Sequence, residues 1–196
     1  MGRTDEELVE ACLAGEESAF DVLLGRWEKR IRGAIYRLVG SDEEARDLCQ
    51  EAFLKAYKSL RSFKQEARFS SWLYQIALNL CRDRMRRRRG KTMVSLEELE
   101  EGGAAMPVAG PTALDLLQER DTRRLVAQAI EALPDEQREV IILKEYQGLT
   151  FLEIAQVLDV PISTVKTRLY RGLDQLRVRL EREGFRGTAP LPAPTP

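Results

Sequence analysis

The chain has 196 residues, a formal net charge of −1, 43% hydrophobic and 32% charged residues, and no histidine. That length suits one ordinary domain or two small ones, in a globular composition at the charged end. Without histidine the commonest general base and metal ligand are missing, and with charges balanced any nucleic-acid role has to rest on local patches.

The three cysteines, Cys12, Cys49 and Cys81, form no C-x-x-C and read as reduced, packed thiols of a cytosolic protein. No apolar run approaches the roughly 18 residues of a membrane span, and the N-terminus is acidic, unlike a signal peptide. The expectation is a cytoplasmic protein without membrane insertion, cofactor or metal. Leu, Ala, Glu and Arg dominate and strand-type alternation is nearly absent, so the expected class is all-α: two small helical domains joined by a flexible linker.

The first domain is expected over residues 1–90. "TDEELVEACLAG" carries a Thr cap, early acids and a stop at Gly15. "ESAFDVLLGRWEKRIRGAIYRLVG" has Phe20, Leu23, Leu24, Trp27, Ile31, Ile35 and Leu38 at steps of three or four, and ends at Gly40. "SDEEARDLCQEAFLKAYKSL" opens with a capping box, Ser41 and Glu44. Its later polar residues Asp47, Gln50 and Glu51, beside Leu48 and Phe53, suggest a polar rim around an apolar contact for a partner.

The fourth helix, "FSSWLYQIALNLCRDRMRRRR", is expected from Ser70 or Ser71. Phe63, Phe69, Trp72 and Tyr74 cluster at its start; such rings either pack a core or stack bases beside cations that follow a phosphate backbone. Asn79 is either a satisfied amide or an edge reader for a flipped base. Arg82, Arg84, Arg86, Arg87, Arg88, Arg89 and Lys91 face only Asp83, more cations than a helix C-terminal dipole explains.

Residues 91–117 read as the linker, acidic and then rich in Gly, Ala and Pro. Its acids, Glu97, Glu98, Glu100 and Glu101, lie between two basic patches. The domains can therefore fold onto each other with the linker shielding the cations, and free protein is expected to bind duplex DNA poorly.

The second domain, 118–184, is expected to hold four helices including a helix-turn-helix. "LTFLEIAQVLDVPISTVKTRLYRGLDQL" has a capping box at Thr150 and Glu153, small Ala155, and a turn at Asp159–Pro161, where Pro161 disfavours helix at Val160. Val165, Leu169, Leu173, Leu176 and Leu180 form an apolar stripe. The other face carries Ser163, Lys166, Thr167, Tyr170 and Arg171, flanked by Thr164 and Arg168. Such a face is either merely solvated or lies in a DNA major groove, where Lys and Arg read guanine. The tail, 185–196, is Pro-rich and expected to be disordered.

Together these motifs resemble bacterial RNA polymerase sigma factors of the sigma-70 family, extracytoplasmic-function (ECF) group. "DEEARDLCQEAFLKAYKSL" is similar to the region 2.2 docking helix. "FKQEARFSSWLYQIALNLCRDRMRRRR" is similar to regions 2.3 and 2.4, and the stretch from Leu133 to Arg177 resembles region 4. The resemblance implies a non-enzymatic subunit that binds core RNA polymerase (clamp and flap) and promoter DNA, regulated by an anti-sigma factor. It implies clamp contacts at Asp47, Gln50 and Glu51, with Leu48 and Phe53 alongside. Asn79 would line the pocket for a flipped minus-10 base, with Phe63 adjoining and Trp72, Arg82, Arg86 and Arg87 on the same DNA-facing element. Lys166, Thr167 and Arg171 would approach minus-35 bases, with Ser163, Thr164 and Arg168 around them. A stand-alone LuxR-like regulator shares the helix-turn-helix but does not need the first domain's aromatic and arginine cluster. A nuclease or recombinase needs a metal-binding carboxylate set or an activated nucleophile.

Overall fold

The computed structural model describes residues 2–63, 68–92, 122 and 124–183. They form α1 (Asp5–Leu13), α2 (Ser18–Val39), α3 (Asp42–Ser59) ending in a 3-10 turn (Leu60–Ser62), and α4 (Phe69–Thr92). Then come α5 (124–131), α6 (Asp135–Ile141) running directly into a π-helical segment (Ile142–Tyr146), α7 (Phe151–Leu158) and α8 (Ile162–Arg182). No strand occurs among the described residues. Residues 64–67, the linker from 93 onward and the Pro-rich tail lie outside them.

Local chemistry explains where the helices start and stop. Thr4 accepts from the Glu7 N–H at 3.2 Å while the Glu7 carboxylate accepts from the Thr4 N–H at 2.6 Å, so both free donors at the start of α1 are satisfied. At Ser41 only half of the expected box forms. The hydroxyl accepts from the Glu44 N–H at 3.3 Å, but Glu44 Oε1 accepts from Arg84 at 3.2 Å and so holds α3 against α4. Gly40 ends α2 at φ 79°, a conformation that a Cβ disfavours. α4 begins at Phe69, one residue before the expected Ser70, and runs to Thr92, past the expected boundary at 90.

α1 to α4 pack as a bundle around Leu23, Ile31, Ile35, Leu48, Phe53, Phe69, Leu73 and Leu78, and α6 to α8 close around Ile141, Ile154, Val165 and Leu169. The two bundles are in contact. α4 lies along α7, and α2 touches the π-helical segment. There the Arg37 guanidinium stacks 4.2 Å over the Tyr146 ring, and the buried Tyr74 hydroxyl donates to Gln147 Oε1 at 2.8 Å.

Candidate nucleic-acid and polymerase interface

The C-terminal site is built from the cap outward. Thr150 and Glu153 form both arms of a capping box, at 3.2 and 2.8 Å, and fix the start of α7. The Thr150 backbone N–H holds the Glu153 carboxyl below the ordinary carboxylate range. Asp159 reverses the chain at φ 53°, and Pro161 starts the next helix. The left-handed residue is thus Asp159, a tolerated choice whose N–H bonds back to Ala155 O. The effect of Pro161 on Val160 is only part of the turn.

With Val165 and Leu169 buried against Ile154 and Leu158, α8 turns Ser163, Lys166, Thr167 and Arg171 outward, all exposed. Thr164 is half-buried. Thr167 Oγ1 donates to Ser163 O at 2.9 Å, and the Lys166 ammonium stands 5.7 Å over the Phe151 ring. Arg168, on the flank of that face, is turned toward α6. Its side chain is 21% exposed and pairs with Glu136 of α6 at 2.9 Å, so it braces α8 against α6.

On α4, Trp72 and Asn79 are seven residues apart, about 10 Å along one helical face. Asn79 is exposed, with Arg82 Nη1 donating to its Oδ1 at 3.4 Å. It is therefore not an amide enclosed by Ile76, Leu78 and Leu80, because position 79 points away from the core those residues join. Phe63 also departs from expectation. It is 7% exposed, edge-on to Phe69 at 6.1 Å and tilted on Trp72 at 4.9 Å, so it supports the half-buried Trp72 from behind. Arg87 is exposed, as is Arg86, which pairs with Asp83.

Arg82 is engaged from across the molecule. Its Nε and Nη2 donate to the two oxygens of Glu139 at 2.7 and 2.6 Å, and this carboxylate raises the guanidinium above its ordinary value. Arg89 pairs with Asp135 at 2.6 Å and Arg68 with Glu153 at 2.9 Å.

α3 presents Asp47, Gln50 and Glu51 on one exposed face. Leu48 and Phe53 are 2% and 4% exposed, so they are core residues and not partner contacts. Helical spacing decides this: the outward neighbour of 47, 50 and 51 is position 54, and Leu54 is 52% exposed. The alternation of polar and apolar residues along α3 carried that signal. Among the described residues no group of three or more His, Cys, Asp or Glu is placed to hold a metal ion, and no helix is long and apolar enough to cross a membrane.

Residues 23–91 match the family model for sigma-70 region 2, and residues 123–176 that for sigma-70 region 4. The ECF RNA polymerase sigma-E factor of Escherichia coli (strain K12) is 35% identical over 179 residues, covering 88% of this chain and 92% of that protein. The RNA polymerase sigma-H factor of Pseudomonas aeruginosa is 34% identical over 183 residues, covering 90% and 94%. Among solved structures, the sigma factor RpoE in complex with the anti-sigma factor NepR from Bartonella quintana superposes with a TM-score of 0.68 at 26% identity, over 83% of this chain and 96% of that one. CnrH in complex with the cytosolic domain of CnrY gives the same TM-score at 24% identity, over 91% and 98%, and supports the fold. An arginine-rich α4 behind an aromatic cluster, followed by an outward basic face on a helix-turn-helix, is thus joined by family matches to both halves and by relatives aligned along most of the chain. The chain belongs to the ECF group of the sigma-70 family of RNA polymerase sigma factors.

Proposed function

We propose that the two bundles divide the work of promoter recognition, with the first domain over 1–90 and the second over 118–184. The chain binds core RNA polymerase, directs it to promoters and promotes strand opening; it is an initiation factor of a non-catalytic family. The exposed rim of α3 docks on the polymerase clamp through Asp47, Gln50 and Glu51, with Leu54 as its apolar anchor. α4 takes melted minus-10 DNA: Trp72 offers a ring for stacking, Asn79 reads a flipped base, and Arg82, Arg86 and Arg87 follow the phosphates. α8 enters the minus-35 major groove, with Lys166, Thr167 and Arg171 toward the bases and Ser163 and Thr164 near the backbone.

The observation that carries this reading is the outward face of α8, fixed by burial of Val165 and Leu169 on α7. A stand-alone regulator would leave the region 2 match over residues 23–91 without a purpose. We extend to this chain the kind of partner that RpoE carries in its complex, an anti-sigma factor, and place its action in the cytoplasm, where RNA polymerase works. In vitro transcription with core polymerase on a promoter library tests the function. Promoter-dependent initiation with parent protein, and relaxed preference at one minus-10 position with Asn79→Ala, are the expected results. Unchanged discrimination at every minus-10 base would remove Asn79 from the reading.

A further inference from the structure

Phe151, the first residue of α7, follows the Thr150 cap directly and is half-buried against the core of the second bundle. Two ammonium groups stand at its ring. Lys144 Nζ, from the π-helical segment, is 4.9 Å from the ring centroid, and Lys166 Nζ, from α8, is 5.7 Å from it. Both lie inside the roughly 6 Å within which a ring face attracts a cation. They are held differently. Lys144 also donates to Leu149 O at 3.1 Å, so a carbonyl fixes it whatever the ring does. Lys166 is exposed, and among the described residues neither a carboxylate nor a carbonyl takes its ammonium. The ring is the group that gives it a bearing.

That bearing matters more for a lysine than for an arginine. A guanidinium is a planar fork that sets its own angle to guanine O6 and N7, whereas an ammonium is a point charge on a flexible four-carbon stem. A lysine separates one base from its neighbours only when something outside the side chain fixes the direction of the stem. On the same face of α8, Thr167 is held by its own helix, through the hydroxyl that donates to Ser163 O at 2.9 Å. Arg171 carries the fork. Lys166 has neither, and its support reaches it from α7. The fixed charge of Lys144 beside the same ring repels a loose ammonium, so the negative ring face is what keeps Lys166 in this place. The ring is itself fixed, because the Thr150–Glu153 capping box sets the backbone at the first turn of α7.

We propose that Phe151 is a positioning residue for minus-35 recognition: its ring holds the Lys166 ammonium on the bearing from which it reads a base, and so sharpens base choice through another side chain. The proposal rests on the assignment of Lys166 to the minus-35 bases. It gives α7, the helix that buries the apolar stripe of α8, a share in specificity as well as in packing.

The test uses full-length protein with core polymerase, transcribing from promoters varied one base at a time through the minus-35 element. The reading is the ratio of transcription from the preferred base to that from each alternative, at the position that Lys166→Ala blurs. Phe151→Leu keeps an apolar side chain and removes the ring face. It should lower that ratio about 2- to 5-fold, the factor that an exposed cation–π contact represents. Phe151→Tyr keeps the ring and should hold the parental ratio. In a Lys166→Ala background Phe151→Leu should lower the ratio no further. An unchanged ratio with Phe151→Leu, or an equal fall on every promoter, overturns the proposal, and so does the same loss in the Lys166→Ala background. Should Phe151→Leu lose helicity, pentafluorophenylalanine in place of Phe151 decides, since it keeps the shape and reverses the sign of the ring face: a lowered ratio supports the proposal and the parental ratio overturns it. The two readings fail separately. No change of profile with Lys166→Ala sinks the assignment of Lys166 to the bases and the proposal with it, whereas a change with Lys166→Ala and none with Phe151→Leu sinks the positioning role alone.

Discussion

Gly172 of α8 crosses α6 so closely that a Cβ there would stand 2.7 Å from Ile141 Cδ1 and 3.2 Å from Gln137 Cβ. Ile141 is 2% exposed and has little room to retreat. Overpacking a core by a methyl costs about 1–3 kcal/mol, against a helix-propensity gain near 1 kcal/mol for Gly→Ala. Gly172→Ala should therefore lower the thermal midpoint despite its better helix former. Ile141→Val removes the opposing Cδ1, and the double variant should recover most of the loss. A Gly172→Ala protein as stable as the parent would show that the helices simply move apart.

On α3, charge and burial predict opposite failures. Asp47→Lys/Glu51→Lys changes two exposed positions and should weaken capture of core polymerase at unchanged helicity. Phe53→Ala empties a site 4% exposed and should cost about 3–5 kcal/mol of folding stability. Pull-down with core polymerase, together with urea unfolding, separates them. Undiminished capture by the doubly reversed protein would move the clamp contact elsewhere.

Base readers and braces on α8 should also part. Lys166→Ala and Arg171→Ala each remove an exposed cation and should alter which minus-35 base is preferred, a loss of about 1–3 kcal/mol at one position. Arg168→Ala loses the pair with Glu136 and should lower use of all promoters without changing their ranking. Transcription from promoters varied one base at a time is the measurement. An unaltered profile for both Lys166→Ala and Arg171→Ala would leave this helix as a backbone clamp.

The thiols should be quiet in the native protein. Burial pushes Cys49 up to about 11 and Cys81 up to about 12, and Cys12, half-buried near Glu16, is raised as well. A raised value shrinks the thiolate fraction, to about one part in a thousand at pH 8 for a pKa near 11, and the thiolate is what alkylating agents attack. Native protein with iodoacetamide at pH 8 should gain at most a slow adduct on Cys12, and denatured protein three. Fast labelling of Cys81 would mean that α4 opens readily.

Periodicity in the sequence was enough for the apolar stripe of α8 and the core of α2, because burial on one helix face repeats at a fixed step. Caps at Thr4 and Thr150 were legible for the same reason, each being settled within four residues. At Ser41 only the hydroxyl arm was legible, since the Glu44 carboxylate had a competing partner forty residues away in Arg84. The exposed rim of α3 was half legible: neighbours in sequence, Leu48 and Phe53, stood in for the neighbour in space, Leu54. Nothing local announced that Arg82, Arg89 and Arg168 would each meet a carboxylate of another helix, because pairing across a fold leaves no spacing to read.

Glu153 gives its two oxygens to two tasks. Oε2 accepts from the Thr150 N–H and hydroxyl, both at 2.8 Å, and Oε1 accepts from Arg68 at 2.9 Å. Losing Arg68 empties one oxygen and leaves the cap on the other. The turn that presents α8 is therefore fixed from within its own helix pair, and does not depend on the contact with Arg68 for its shape.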